Sequence, residues 1–490
     1  MQPRTTEALS RRRFLRLAAA GAAALAGGTV PLLSSCDDPG TGPENNKRTR
    51  SPLATPATLS VAGATLVAAP GMAQVADDAL SPAWLFNGLL PGPTLRGRRG
   101  EQARIRLLNQ LPEPTIVHWH GLHVPAHADG HPRDAIDAGA SLDYEFPIVQ
   151  RAGTSWYHPH AHHQTAAQIQ RGLAGFFIIG DEEEDALGLP SGSREVLLLL
   201  QDREGDAGTA FSYAPTSADH RSGLLRDVPY ANGVRLPSLE VSAQRYRFRI
   251  LNASHARVYL LGLDNGTRLS VIGNDGGLLV SAVEVESVFL GVGERIDFLV
   301  DFAAVPPGTR VMLKSLPFSL PSAPDVRYPQ GMEMDLLELV CNGGGGAQEP
   351  PLPATLSSVP PLGPADGERT FVLRSMDHDA MHQINDRTFD MYRVDEQILL
   401  GRVERWTFTN DSSLPHPVHL HGTHFQVQSR VGGRSQVFPY EAGWKDTVLL
   451  MPLETVAVLV QFDRYNGIFP LHCHNLQHED MGMMLNVEVV

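Results

Sequence analysis

The sequence predicts an all-β protein of three homologous sandwich domains, and three observations carry that expectation. The 490 residues hold 46 Gly and 37 Pro, a composition that favours turns and strands over long helices. A stretch ending in Asn recurs three times: Gln102 to Asn109, Gln244 to Asn252 and Val403 to Asn410. In each, apolar and polar residues alternate, as they do in a half-buried strand. Nine and eleven places after the terminal Asn stand His118 and His120 in the first copy and His419 and His421 in the third, but Leu261 and Leu263 in the second. The outer two domains are therefore expected to hold metal and the middle one is not.

The chain begins with a targeting pattern, residues 1–36, excluded from the fold. Ser10-Arg11-Arg12-Arg13-Phe14-Leu15-Arg16, followed by an apolar run from Leu17 to Val30, resembles a twin-arginine export signal. An ordinary Sec signal fits the Phe-Leu pair less well. Leu33-Ser34-Ser35-Cys36 resembles a lipobox, which implies acylation of Cys36 and a membrane-anchored or periplasmic protein facing outward. Residues 37–57, rich in Pro, Thr, Asn and Gly, read as a flexible tether. No later apolar run is long enough to span a bilayer. The net charge of −14 argues against a nucleic-acid partner.

The domains then follow in order: 58–185, closed by an acidic run; 186–341; a Gly- and Pro-rich linker at 342–368; and 369–490. Cys36, Cys341 and Cys473 are the three cysteines, so an internal disulfide framework is excluded once Cys36 and Cys473 have other work.

Each outer domain carries a second His-x-His pair. Gly153 stands five residues before His158 in His158-Pro159-His160, and Gly467 five before His472 in His472-Cys473-His474. Where the third domain has Cys473 the first has Pro159, so a thiolate site belongs to the third domain alone. In an extended strand His472 and His474 share one face while Cys473 takes the other. Thiolate, imidazole and thioether in Pro470 to Met484 suit copper, with two His, one Cys and a weak axial Met as the blue-copper donor set. His416 lies an odd three residues before His419 and so faces away from the His419/His421 pair.

His118-Trp119-His120-Gly121, Tyr157-His158-Pro159-His160, His416-Pro417-Val418-His419-Leu420-His421-Gly422 and the Cys473 motif together resemble the four signatures of multicopper oxidases. The likeness is nearest to the bacterial laccase and cuprous-oxidase branch. It implies three cupredoxin-like Greek-key β-sandwiches, four coppers per chain and four-electron reduction of dioxygen to water. It further implies a type 1 copper on His416, Cys473, His478 and axial Met483, at low to middle potential. The type 2 copper would take His118 and His419. The two type 3 coppers would take His120, His158 and His160 with His421, His472 and His474. Asp129 and Glu479 match family carboxylates that relay protons. Asp446 is expected either to orient a ligand imidazole or to shape a loop.

His123, His127, His131, His162, His163 and His424 are expected near the motifs without ligand roles. An outer Cu(I) site of the cuprous-oxidase kind is in doubt, because Ser412 and Leu414 stand at its positions and only Met376, Met381 and Met391 could replace it. With no long Met-rich cover, the His416 or His478 edge is expected to be open to donors. Small phenolic donors or metal ions are the expected reductants, and the protein is expected to be a monomer. A dedicated cuprous or metal-ion oxidase, a non-catalytic copper-binding envelope protein and a copper-sequestering protein are the rival readings.

Overall fold

The three repeated strands form as expected, at Gln102–Asn109, Arg245–Asn252 and Val403–Asn410, and each occupies the same place in its own sheet. In this computed structural model, which describes residues 50–76, 79–205, 207–320, 328–345, 350–376 and 381–490, each pairs parallel with an early strand of its domain. Each also pairs antiparallel with a later one. The leader and Cys36 lie outside the described residues.

The reason for the conserved place is the terminal Asn. Asn109, Asn252 and Asn410 are all buried, and each side-chain oxygen accepts the backbone N–H two residues on: Leu111, Ser254 and Ser412. Each side-chain amide donates to a carbonyl a few residues ahead, Glu113, Arg257 or Leu414, and to a second from a distant segment, Ile136, Leu290 or Met451. An Asx turn of this kind replaces the sheet hydrogen bonds that the chain loses as it leaves one sheet for the other. The turn thus fixes the offset between the repeated strand and the one that follows it.

The strands of each repeat form two sheets. The first domain has a five-stranded and a four-stranded sheet, the middle one a seven- and a five-stranded sheet, and the third two five-stranded sheets. An apolar core fills each, around Trp119 and Phe146, around Phe248 and Phe298, and around Trp406 and Phe408. Burying such aromatic and branched side chains supplies roughly 1.5–3 kcal/mol apiece.

The strands after the Asn turns set the register of the site. Val117–His120 runs antiparallel to Gly153–Pro159 with His118 opposite His158. His416–Leu420 runs antiparallel to Gly467–Cys473 with His419 opposite His472 and Val418 opposite Cys473. The corresponding strand of the middle domain, Tyr259–Leu263, puts Leu261 into the core instead.

Candidate metal centre

Eight imidazoles converge between the first and third domains. His118, His120, His158 and His160 come from one side, His419, His421, His472 and His474 from the other, and every one is buried. Within this cage His118 Nε2 lies 3.3 Å from His419 Nε2, and His421 Nε2 lies 3.1 Å from His472 Nε2. His120 Nδ1 lies 3.2 Å from His474 Nε2. Potential ligand atoms group as His118, His120 and His158; His118, His419 and His421; and His160, His421 and His472, each set within 4.8 Å.

The back of each ring decides what the front can do. His118 Nδ1 donates to the Asp129 carbonyl at 2.7 Å and His419 Nδ1 to the Asp446 carbonyl at 2.9 Å. A carbonyl only accepts, so both Nδ1 atoms carry the proton and both Nε2 atoms are bare lone pairs. Two lone pairs then face each other across 3.3 Å. His472 repeats the pattern, with Nδ1 on the Cys473 carbonyl at 3.2 Å and Nε2 aimed at His421. Burial and the neighbouring rings push His118, His419 and His421 well below the ordinary histidine range, so protonation does not relieve the repulsion between His118 and His419. His158 Nε2, His160 Nδ1 and His474 Nδ1 have no partner at all. Neutral, facing imidazole lone pairs in a buried cage fit cations, and the copper ions that the family resemblance implies suit this donor set.

A second centre lies within the third domain. His416 Nδ1 is 3.3 Å from Cys473 Sγ, and His478 Nδ1 is 3.3 Å from His416 Nδ1 and 3.8 Å from the sulfur. His478 Nε2 donates to the Arg221 carbonyl at 3.1 Å, which again leaves Nδ1 bare and aimed inward. Met483 is buried in the same cluster as Cys473, and its carbonyl accepts the Cys473 N–H at 3.0 Å. Burial drives the Cys473 thiol far up, a shift that a bound cation reverses by holding the thiolate.

The two carboxylates also reach the cage. Asp129 Oδ2 is 2.7 Å from His421 Nδ1, so one residue orients two rings, His118 through its carbonyl and His421 through its side chain. Glu479 Oε2 lies 3.2 Å from His472 Nδ1 and Oε1 lies 3.7 Å from His160 Nε2. Asp446 takes the orienting role, with Oδ1 at 3.0 Å from His120 Nε2. The middle domain, without a ligand of its own, supplies Arg295 to hold Asp446. It also supplies Gly293, where a Cβ would stand 2.9 Å from His474 and 3.1 Å from His120.

One expectation is overturned. The edges of His416 and His478 are not open: both rings are 0 % exposed. Ser412 Oγ sits 2.9 Å from His416 Nε2, and the Ser217–Ser222 helix of the middle domain covers His478. No motif near His478 announces the helix, which lies more than 190 residues upstream. His382 and Ser375, from the third domain's own strands Met381–Ile384 and Gly367–Met376, adjoin the same rings and add to the cover. His123 and His424 form a ring pair 4.5 Å apart behind Asp446, and His131 bonds Asn486; none joins a ligand group. Residues 377–380 and the side chains of Met376 and Met381, on which the outer Cu(I) expectation falls, lie outside the described residues.

Comparison with known proteins agrees with this geometry. Multicopper oxidase family models match residues 69–184, 152–318 and 363–490. The chain is 32% identical to a laccase of Bacillus stratosphericus, over 83% of this chain and 90% of that one. It is 31% identical to the cell division protein FtsP of Dickeya dadantii, over 97% of each. The fold superposes with a TM-score of 0.83 on the McoA multicopper oxidase of the hyperthermophile Aquifex aeolicus, at 32% identity, covering 90% of this chain and 99% of that one. With family matches in all three domains and both donor sets assembled, the chain belongs to the bacterial laccase-like multicopper oxidases.

Proposed function

We propose that the protein couples one-electron oxidation of small phenolic donors or metal ions to four-electron reduction of dioxygen to water. The single observation that carries this reading is the pair of forced lone pairs on His118 and His419, facing at 3.3 Å in a buried cage. Four coppers would be held: one by His416, Cys473, His478 and Met483, one by His118 and His419, and two by His120, His158, His160, His421, His472 and His474. Copper would supply the one-electron steps and the binding of dioxygen.

The chain's own residues do the rest. Cys473 is bonded through the backbone to His472 and His474, so the thiolate centre and the cage share one continuous covalent path. Asp129 fixes His118 and His421, and Glu479 stands against His160 and His472; both carboxylates are placed to hand protons into the cage as oxygen is reduced. Burial of every ring keeps water from competing for the donor atoms.

The near full-length likeness to a cell division protein favours a second reading, a binding role in the envelope. The assembled donor sets argue for the oxidase. Oxygen consumption measured in parallel with a phenol, Cu(I), Fe(II) and Mn(II) separates the two: uptake with none of the four, in copper-loaded protein, would discard the oxidase. We further place the protein outside the cytoplasm as a monomer, exported through Arg11 and Arg12 and anchored at Cys36. Arg11→Lys with Arg12→Lys should strand precursor in the cytoplasm, and Cys36→Ala should prevent acylation.

A further inference from the structure

The thiolate centre is sealed, yet its donors must deliver electrons to it. His416 and His478 are 0 % exposed, and the ring that meets both, His382, is 1 % exposed. His382 stacks on His478 with centroids 3.8 Å apart and planes at 22°. Its Nδ1 lies 2.9 Å from Ser375 Oγ, and that hydroxyl lies 3.4 Å from His416 Nε2. Its Nε2 donates to the His220 carbonyl at 3.0 Å, while the next carbonyl, of Arg221, accepts from His478 at 3.1 Å. Two successive carbonyls of one middle-domain helix therefore receive the two stacked rings. The helix reaches the surface there: Arg221 is exposed and His220 half-buried. With both nitrogens engaged, His382 has none to offer a metal, so its role is that of a ring between surface and site.

We infer that donors deliver electrons at the Ser217–Ser222 helix of the middle domain, and that His382 is the positioning residue that couples this surface to His478 and His416. The inference rests on the oxidase reading. Removing the ring leaves a gap of one ring thickness beside His478 and takes from Ser375 Oγ its 2.9 Å partner, while His416 keeps Ser412 Oγ at 2.9 Å. A docked donor then faces water or a void in place of a packed ring. The donor class that follows is one that gives up an electron without seating an atom on the metal, which suits aromatic donors and metal complexes at the protein surface.

The test uses full-length copper-loaded protein and anaerobic rapid mixing with hexacyanoferrate(II). Each hexacyanoferrate(II) becomes hexacyanoferrate(III), one Cu(II) at the thiolate centre becomes Cu(I), and no bond or proton is exchanged. Bleaching of the blue band reports the electron's arrival, and the electron paramagnetic resonance signal of the same copper reports its ring environment. His382→Ala is expected to slow bleaching by about 10-fold to 100-fold and to shift that signal, as loss of a supporting partner does elsewhere. His382→Phe, which keeps a stacked ring, is expected to recover most of the rate. Arg221→Glu, which reverses the charge of an exposed side chain while keeping the backbone carbonyl that meets His478, is expected to slow the anionic donor by about tenfold at low ionic strength. Bleaching that is unchanged or faster in His382→Ala, or indifferent to Arg221→Glu, overturns the inference. Should His382→Ala fail to load copper, the Phe and Glu variants decide. A wild-type protein without a blue band would instead remove the oxidase reading itself.

Discussion

Arg295 and Asp446 meet across the boundary of the middle and third domains, the guanidinium spanning both carboxylate oxygens, with Nη1 at 2.7 Å from Oδ1. Arg295 also donates to the Thr154 carbonyl of the first domain, and Asp446 reaches His120 of that domain. One buried ion pair therefore ties three domains and a ligand ring together. Arg295→Gln should break it at a cost of about 3–5 kcal/mol, because Asp446 is left as an uncompensated buried charge. Calorimetry should show a lower unfolding temperature, and metal analysis less copper per chain. Wild-type values for both would mean that the pair is ornamental.

Cys473→Ser keeps the eight-imidazole cage and removes the one buried sulfur that the rings of His416 and His478 address. The expected protein has no intense blue absorption, nearly no turnover and three coppers in place of four. A variant that stays blue would require another thiol, and among the described residues Cys341 alone remains, in the core of the middle domain.

Asp129→Asn preserves the shape of a residue that orients two rings while removing its charge. Glu479→Gln does the same beside His160 and His472. Both are expected to retain copper and the blue band, and to slow turnover by roughly 10²-fold or more, the scale of positioned acid–base groups. Loss of cage copper in either would assign that residue to structure.

The convergence of the candidate donors was legible because strand alternation and the Asn-based offset are local rules. Asn109, Asn252 and Asn410 could be counted in the sequence, and the structure explains the count through their shared turn. What the sequence hid was assembled from afar. Arg295 sits in a domain that shows no ligand, and its partner is 151 residues away. A short helix of another domain meets the His478 ring, and no motif near that residue announces it.

Among the carboxylates, acid should act on the buried ion pairs of Glu184 and Glu441. Burial raises the Glu184 carboxyl, but Arg249 and Arg247 together lower it further, to a net position below its ordinary 4.5. Glu441, with burial opposed by Arg430 and Arg434, behaves alike. A depressed carboxylate contributes its stability above about pH 4.5 and loses it as pH falls through the lower folded value. Unfolding midpoints should begin to fall below about pH 6.5, where the unfolded chain takes up protons that the buried His118, His419 and His421 refuse, and should fall further below about pH 4.5 as Glu184 and Glu441 lose their share. Glu441→Gln should be less stable at neutral pH yet show a shallower acid slope. An equal slope would place the acid sensitivity elsewhere.

The facing lone pairs of His118 and His419 also say something about supply. They belong to segments 301 residues apart, so the cage exists only when the whole chain has been made and the outer domains have closed. Until cations arrive, that closure presses like against like along the seam, and the ions act as a latch. A cell short of copper would then hold a looser molecule whose seam opens to proteases, while a loaded one is clamped. Metal scarcity would be recorded in this protein's lifetime before it was recorded in its rate.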